Sequence, residues 1–155
     1  MTQAEFTERA RGCERRLYRV ARTLLSSETD CEDAVQEALL KAWAPLHTLR
    51  EEAYFETWLT RILINQCRSL HRKRTFAAAE LPESLSVPEP GRSPLMEALE
   101  ALPVRNRIAV ELHYIEGYSV KECAKLLTVP EGTVKWRLHQ GRRLLQRLLG
   151  KEAEP

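Results

Sequence analysis

Apolar residues recur at intervals of three and four along most of the chain, the period of helices that bury one face. Phe6, Ala10, Cys13, Leu17, Val20 and Leu24 form the first such stripe, and Thr2 with Glu5 offers a reciprocal capping box at its start. Ser26 and Ser27 interrupt the stripe. Asp30 is then expected to cap a second helix, with Glu32 and Asp33 near the positive end of its dipole. In that helix Val35, Ala38, Leu39, Ala42, Trp43 and Leu46 are expected to face inward. Asp33, Gln36, Glu37, Leu40 and Lys41 face outward, and a large apolar side chain centred among acids and amides reads as the middle of a partner-binding surface. After a short connection at 48–53, a third helix is predicted over about 54–74, with Phe55, Trp58, Leu59, Ile62 and Leu70 inside. Its outer edge carries Arg61, Asn65, Arg68 and Arg72, spaced four, three and four.

The pattern lapses at 75–94, where Pro82, Pro88, Pro90, Pro94 and Gly91 accompany Glu80, Glu83 and Glu89 against a lone Arg92. Such a stretch predicts an extended, acidic, flexible linker between a body at 1–74 and another at 95–150, each only marginally stable alone. Beyond it Leu95, Met96, Leu99 and Leu102 suggest a short helix. Pro103 starts the next, with Ile108, Ala109, Leu112 and Ile115 apolar, and Gly117 ends it in the left-handed position that glycine takes cheaply. Ser119 with Glu122 forms a second capping box, opening a helix whose Val120, Cys123, Ala124 and Leu127 share a face. Thr128-Val129-Pro130 turns the chain into a final helix, striped by Val134, Leu138, Gly141, Leu145 and Leu148. Opposite the stripe stand Gly132, Trp136, His139, Gln140 and Arg143. The pair reads as a helix-turn-helix, and the chain as all-α: two small helical domains joined by the linker.

Charge sharpens this picture through its distribution, since the net +2 over 155 residues is unremarkable. No acid occurs at 132–150, whereas Lys135, Arg137, Arg142, Arg143 and Arg147 do, and a solvated helix would ordinarily mix its signs. A phosphate backbone is the fitting counterpart, so duplex DNA contacts are assigned to Lys135, Trp136, Arg137, His139, Gln140, Arg142 and Arg143. Gln140 offers an adenine pairing. The third helix holds a second polyanion track, because compensation of the helix dipole accounts for Arg72, Lys73 and Arg74 but not for Arg61 or Arg68. Cys13, Cys31, Cys67 and Cys123 are far apart with no C-x-x-C pair, which indicates neither zinc nor a disulfide framework; Cys13 and Cys123 read as buried thiols. No glycine-rich phosphate loop, metal-ligand spacing or coherent acid, base and nucleophile set is present, and His47, His71, His113 and His139 lie on different elements. The expectation is a non-enzyme with no catalytic residue, metal or cofactor. With no apolar run near the roughly 18 residues of a membrane span and no secretory signal, it is expected to be cytoplasmic, without membrane insertion.

Two groups of residues resemble one family. Asp33-Ala34-Val35-Gln36-Glu37-Ala38 with Lys41-Ala42-Trp43, then Phe55-Glu56-Thr57-Trp58-Leu59 leading to Asn65 and a basic tail, are similar to region 2 of the extracytoplasmic-function (ECF) sigma factors of bacterial RNA polymerase. Leu102-Pro103, then Tyr114-Ile115-Glu116-Gly117-Tyr118-Ser119, and Val129-Pro130-Glu131-Gly132-Thr133-Val134-Lys135 resemble region 4, and no region-3 domain lies between. The resemblance implies that Asp33, Gln36, Glu37, Leu40 and Lys41 grip the clamp coiled coil of the largest subunit of core polymerase. It implies that Arg61, Asn65, Arg68 and Arg72 contact the melted minus-ten strand, with an unpaired base held near 48–53, and that region 4 reads the minus-thirty-five duplex and meets the flap of the second-largest subunit. The linker would run toward the RNA exit path with its acids mimicking nucleic acid, and an anti-sigma factor is a further implied partner. Three departures from the family pattern stand out: Trp136 stands where a serine is frequent and Thr128 replaces a frequent turn glycine; His139 and Gln140 are unusual, so the base read is not carried over; and Leu63 with Ile64 replaces a smaller, more polar pair. The alternative is a freestanding helix-turn-helix regulator that binds DNA as a dimer.

Overall fold

A computed structural model describes residues 1–78 and 93–153, the side chains of 74–78 and 151–153 excepted. It divides into two compact units, Met1–Phe76 and Ala77–Pro155, and the described residues form helices and turns without strands.

In the first unit, α1 spans Gln3–Leu24, opened by the Thr2/Glu5 capping box, and buries Phe6, Ala10, Cys13, Leu17, Val20 and Ala21. Helix α2 spans Glu28–Trp43. Its cap is Ser27, not Asp30: the Ser27 hydroxyl accepts from the Asp30 amide at 3.3 Å, which places Asp30 inside the first turn with its carboxylate near the dipole's positive end. The buried side of α2, the helix that packs on α1, is built from small residues, Cys31, Ala34, Ala38 and Ala42, with Val35 beside them. Leu39 is only half buried and Trp43, expected inside, is 42% exposed with its ring edge-on to Phe6 at 5.2 Å. The expected connection at 48–53 is flanked by 3₁₀ turns, one at Ala44–Thr48 with Pro45 in its first turn and another at Glu52–Tyr54, which leave 49–51 as its irregular part.

Helix α3 runs Phe55–Ala78, four residues beyond the expected end at Arg74. Thr75, Phe76, Ala77 and Ala78 include neither glycine nor proline, and the first proline after them is Pro82, so nothing local stops the helix. Its buried face is Phe55, Leu59, Leu63, Ile64 and Cys67. The expected face was rotated from this: Trp58, Ile62 and Leu70 are half buried. Full burial of Leu17, Leu59, Leu63 and Ile64 contributes about 1.5–3 kcal/mol each toward holding three helices together. Phe6 meets Phe55 edge-on at 5.7 Å, and an Arg16–Glu56 ion pair at 2.7 Å joins α1 to α3.

In the second unit, α4 spans Pro94–Ala101, capped by the Ser93 hydroxyl, so Pro94 is the first residue of a helix rather than the last of a linker; the remainder of that expected linker, 79–92, lies outside the described residues. Helix α5 covers Val104–Val110 and widens into a π turn at Glu111–Ile115. The extra residue per turn rotates Ile115 off the apolar face, leaving it about half exposed while Leu112 stays buried. Gly117 follows at φ +82°. Helix α6 spans Val120–Leu127 with the Ser119/Glu122 capping box, and α7 spans Glu131–Ala153. Pro130 precedes the first turn of α7, its carbonyl accepting from the Thr133 and Val134 amides. α4, α5 and α6 all pack on α7, around Leu102, Ile108, Leu112, Leu126, Leu127, Val134 and Leu138. The stripe fades toward its end: Leu145 is half buried and Leu148 exposed.

Candidate functional site

Three outward faces carry the expected site residues. On α2, Asp33, Gln36, Glu37, Leu40 and Lys41 all lie on the exposed side, and Leu40 is 71% exposed, the highest among the described large apolar side chains. The buried Ala34, Ala38 and Ala42 behind it hold the helix close to α1, so the outer face is displayed on a fixed support. Lys41 does not stand free: its ammonium donates to the Gln66 side-chain oxygen at 2.6 Å, tying this face to α3.

On α3, Arg61, Asn65 and Arg72 are exposed and Arg68 is half buried, along an edge opposite Leu59 that borders the buried Ile64. Leu63 and Ile64 are fully buried and belong to the core.

On α7, Lys135, Trp136, His139, Arg142 and Arg143 are exposed, while Arg137 and Gln140 are half buried. Trp136 is 59% exposed, and its ring lies 6.0 Å from that of the exposed His139, with the two planes tilted by 33°. Arg142 donates to the Tyr114 hydroxyl across a short hydrogen bond. Tyr114 in turn sits edge-on to His113 at 4.9 Å, and the Nδ1 of His113 donates to the Tyr118 carbonyl at 2.7 Å, since a carbonyl only accepts. The π turn therefore holds one of the basic groups of α7 in place. Gln140 is not a free amide: its Oε1 accepts from the Asn106 side-chain amide at 3.4 Å.

Sequence reasoning missed Gln66, Tyr114 and Asn106, because each acts by reaching another helix. Asn106 had one signal, an amide within the helix that carries Ile108, Ala109 and Leu112. All four cysteines are buried thiols; burial pushes Cys13, Cys31 and Cys123 up to about 11 and Cys67 to about 12, so none is poised for reaction. No group of three metal-ligating side chains gathers among the described residues, and no described helix is long and apolar enough to cross a membrane.

Comparison with known proteins agrees across both units. The family model for sigma-70 region 2 matches residues 10–76 and that for sigma-70, region 4 matches residues 92–145. The ECF RNA polymerase sigma factor SigM of Mycobacterium tuberculosis is 37% identical over 144 residues, covering 88% of this chain and 72% of its own. SigW of Bacillus subtilis, also an ECF RNA polymerase sigma factor, is 27% identical over 155 residues, covering 86% and 83%. Among solved structures, the sigma factor RpoE from Bartonella quintana, crystallised with the anti-sigma factor NepR, is 29% identical with a TM-score of 0.80, covering 94% of this chain and 97% of that one. A freestanding helix-turn-helix regulator has no need of region 2, which sets that alternative aside. The chain belongs to the sigma-70 family as an RNA polymerase sigma factor of the ECF type, a factor that directs core polymerase to specific promoters and helps to open them, and not an enzyme.

Proposed function

We propose that the chain divides this work between a body at 1–74 and a body at 95–150, tethered by 75–94. The outer face of α2, Asp33, Gln36, Glu37, Leu40 and Lys41, docks on the clamp coiled coil of the largest polymerase subunit. The single observation that carries this is Leu40, 71% exposed in a ring of polar side chains. Water-facing leucines are common singly, but one centred on a rigid polar face has the anatomy of a binding hot spot, an apolar centre with a hydrated rim.

The edge Arg61, Asn65, Arg68 and Arg72 then holds the phosphates of the melted minus-ten strand, and an unpaired base lodges near 48–53. Extruding a base costs a few kcal/mol, which backbone contacts to the freed strand offset. The exposed face of α7, Lys135, Trp136, Arg137, His139, Gln140, Arg142 and Arg143, enters the major groove of the minus-thirty-five element, and the second body also meets the flap of the second-largest subunit. An anti-sigma factor covers these surfaces when polymerase is absent. The capture of the related RpoE with NepR supports that reading. The site of action is the cytoplasm.

The test is pull-down with purified core polymerase. Glu37→Arg with Leu40→Arg places two like charges and a lost apolar anchor at the centre of the face, and a hot spot of about 2–4 kcal/mol corresponds to a loss of about 30-fold to 1,000-fold in affinity. Both residues are exposed, so the helical signal and melting of the lone protein should stay as they are. Undiminished pull-down by the double variant would sink the clamp assignment.

A further inference from the structure

Gly141 has no side chain because there is no room for one: a Cβ there would lie 2.8 Å from Cγ2 of Val110 and 3.8 Å from the Cβ of Asn106. That close approach of α5 to α7 brings Asn106, only 2% exposed, within reach of the α7 backbone, where its Nδ2 donates to the Arg137 carbonyl at 3.1 Å. The same Nδ2 carries a second hydrogen, directed at the Oε1 of Gln140 at 3.4 Å.

The chemistry of these partners sets the direction of both bonds. A peptide carbonyl only accepts, so the atom of Asn106 beside Arg137 must be its amine end and not its oxygen. The atom of Gln140 facing that amine must then be its oxygen, because its own amine would set donor against donor. Gln140 is half buried against Asn106 and has its Nε2 hydrogens left to offer.

We propose that Asn106, a residue outside the DNA-facing helix, fixes the hydrogen-bond polarity of Gln140, so that the chain reads an acceptor edge at that position, guanine before thymine, and rejects adenine. The bidentate glutamine–adenine pair needs the amide oxygen to accept from adenine N6 while the amine donates to N7. With the oxygen held inward by Asn106, the adenine N6 hydrogens meet only more donors. Guanine presents O6 and N7, two neighbouring acceptors, and thymine presents O4. Asn106 is a positioning residue and Gln140 the reader. This deepens the assignment of α7 to the minus-thirty-five duplex and rests on it.

The experiment is transcription by the reconstituted holoenzyme from a promoter library randomised through the upstream element, with the products sequenced. Gln140→Ala locates the position that Gln140 reads, as the one where selection relaxes. There the unaltered protein should favour guanine over adenine. Asn106→Leu, close in size and without an amine, frees the Gln140 amide to turn and should shift the adenine-to-guanine ratio toward adenine by at least about fivefold, the low end for one bidentate pair. A role confined to packing would lower output without changing which base is chosen.

Gln140→Glu provides a second route that leaves Asn106 untouched: the carboxylate still accepts from Asn106 but offers no hydrogen outward, so guanine selection should vanish in favour of cytosine, whose N4 donates. Adenine selected by the unaltered protein, or a folded Asn106→Leu with the guanine preference intact, overturns the proposal. If Asn106→Leu does not fold, continued guanine preference in Gln140→Glu overturns it instead. Should an upstream element be selected with no position relaxed by Gln140→Ala, this inference falls while the duplex assignment stands; should no upstream element be selected, both fall.

Discussion

Thr128 joins the two helices of the helix-turn-helix in a conformation that its side chain resists. Its φ of 58° and ψ of 48° lie in the left-handed region, where the Cβ of an L-residue crowds the following carbonyl at a cost of about 1–2 kcal/mol, and a β-branched residue belongs at the upper end. What holds it there is the end of α6: the Val129 amide donates to the Ala124 carbonyl at 3.0 Å, the six-to-one closure of a helix terminus that places residue 128 in the position glycine usually fills. Thr128→Gly removes the steric cost and loses almost no burial, because Thr128 is exposed. Against this stands the freedom glycine restores to the unfolded chain, about 0.4–1 kcal/mol. The difference predicts that the second unit gains about 1–1.6 kcal/mol, or a rise in Tm of about 4–13 °C for a body of this size. Trp136 fluorescence in a Trp43→Phe, Trp58→Phe background follows that unit alone, and thermal melts of the paired proteins measure the shift. Thr128→Ala, which keeps a Cβ, should move the midpoint by less. A Tm that falls, or stays put, in the glycine variant would show that the turn stores no strain at this residue.

Gly141→Ala should reverse the usual sign of a helix glycine replacement: the propensity gain of about 1 kcal/mol is outweighed by forcing the stiff Val110 side chain away from a 2.8 Å contact, for a net loss of about 1 kcal/mol that Val110→Ala in the same chain partly restores, as read from urea midpoints. The four buried thiols should resist a disulfide reagent at neutral pH and react on unfolding. As pH rises from about 9 toward 11, the unfolded thiols lose protons that the folded ones retain, so stability should fall by up to about 1.4 kcal/mol per pH unit for each thiol; Cys67→Ala should lessen the slope of the denaturation midpoint against pH. Arg142→Ala with Arg143→Ala should flatten the salt dependence of promoter binding by about 0.9 in log–log slope per lost phosphate contact, and an unaltered slope would place that helix off the backbone.

How much of this was legible beforehand follows from the range of the interactions. The two capping boxes were readable from Thr2/Glu5 and Ser119/Glu122 because a cap is closed within four residues. The outer face of α2 was readable because one polar flank opposes one apolar flank. The face of α3 was not: apolar residues at 58, 59, 62, 63, 64, 67 and 70 satisfy two adjacent stripes, and only packing against α1 and α2 selects Leu63, Ile64 and Cys67 over Ile62 and Leu70. Asp30 and Ser27 are both good caps, and the choice between them depends on where α1 releases the chain. The contacts of Asn106, Gln66 and Tyr114 were not legible for one reason: an amide or phenol on a helix reads as surface until the neighbouring helix is in place.

These cross-helix contacts also explain how α7 keeps its charge. In the first unit Arg9 and Arg16 are paired with Glu52 and Glu56, so part of their charge is cancelled inside the fold for the modest return of exposed ion pairs, about 0–1 kcal/mol each. Along α7 no acid follows Glu131 until Glu152, and the groups that orient its polar side chains are neutral: the Tyr114 hydroxyl for Arg142 and the Asn106 amide for Gln140. A neutral acceptor restrains a guanidinium without shrinking its field, leaving the full charge to displace counterions from a polyanion. A carboxylate at either position would hold the side chain as well and weaken the attraction it serves. Orientation by uncharged partners is therefore the arrangement that a helix must use if it is to be both ordered before binding and strongly cationic when it binds.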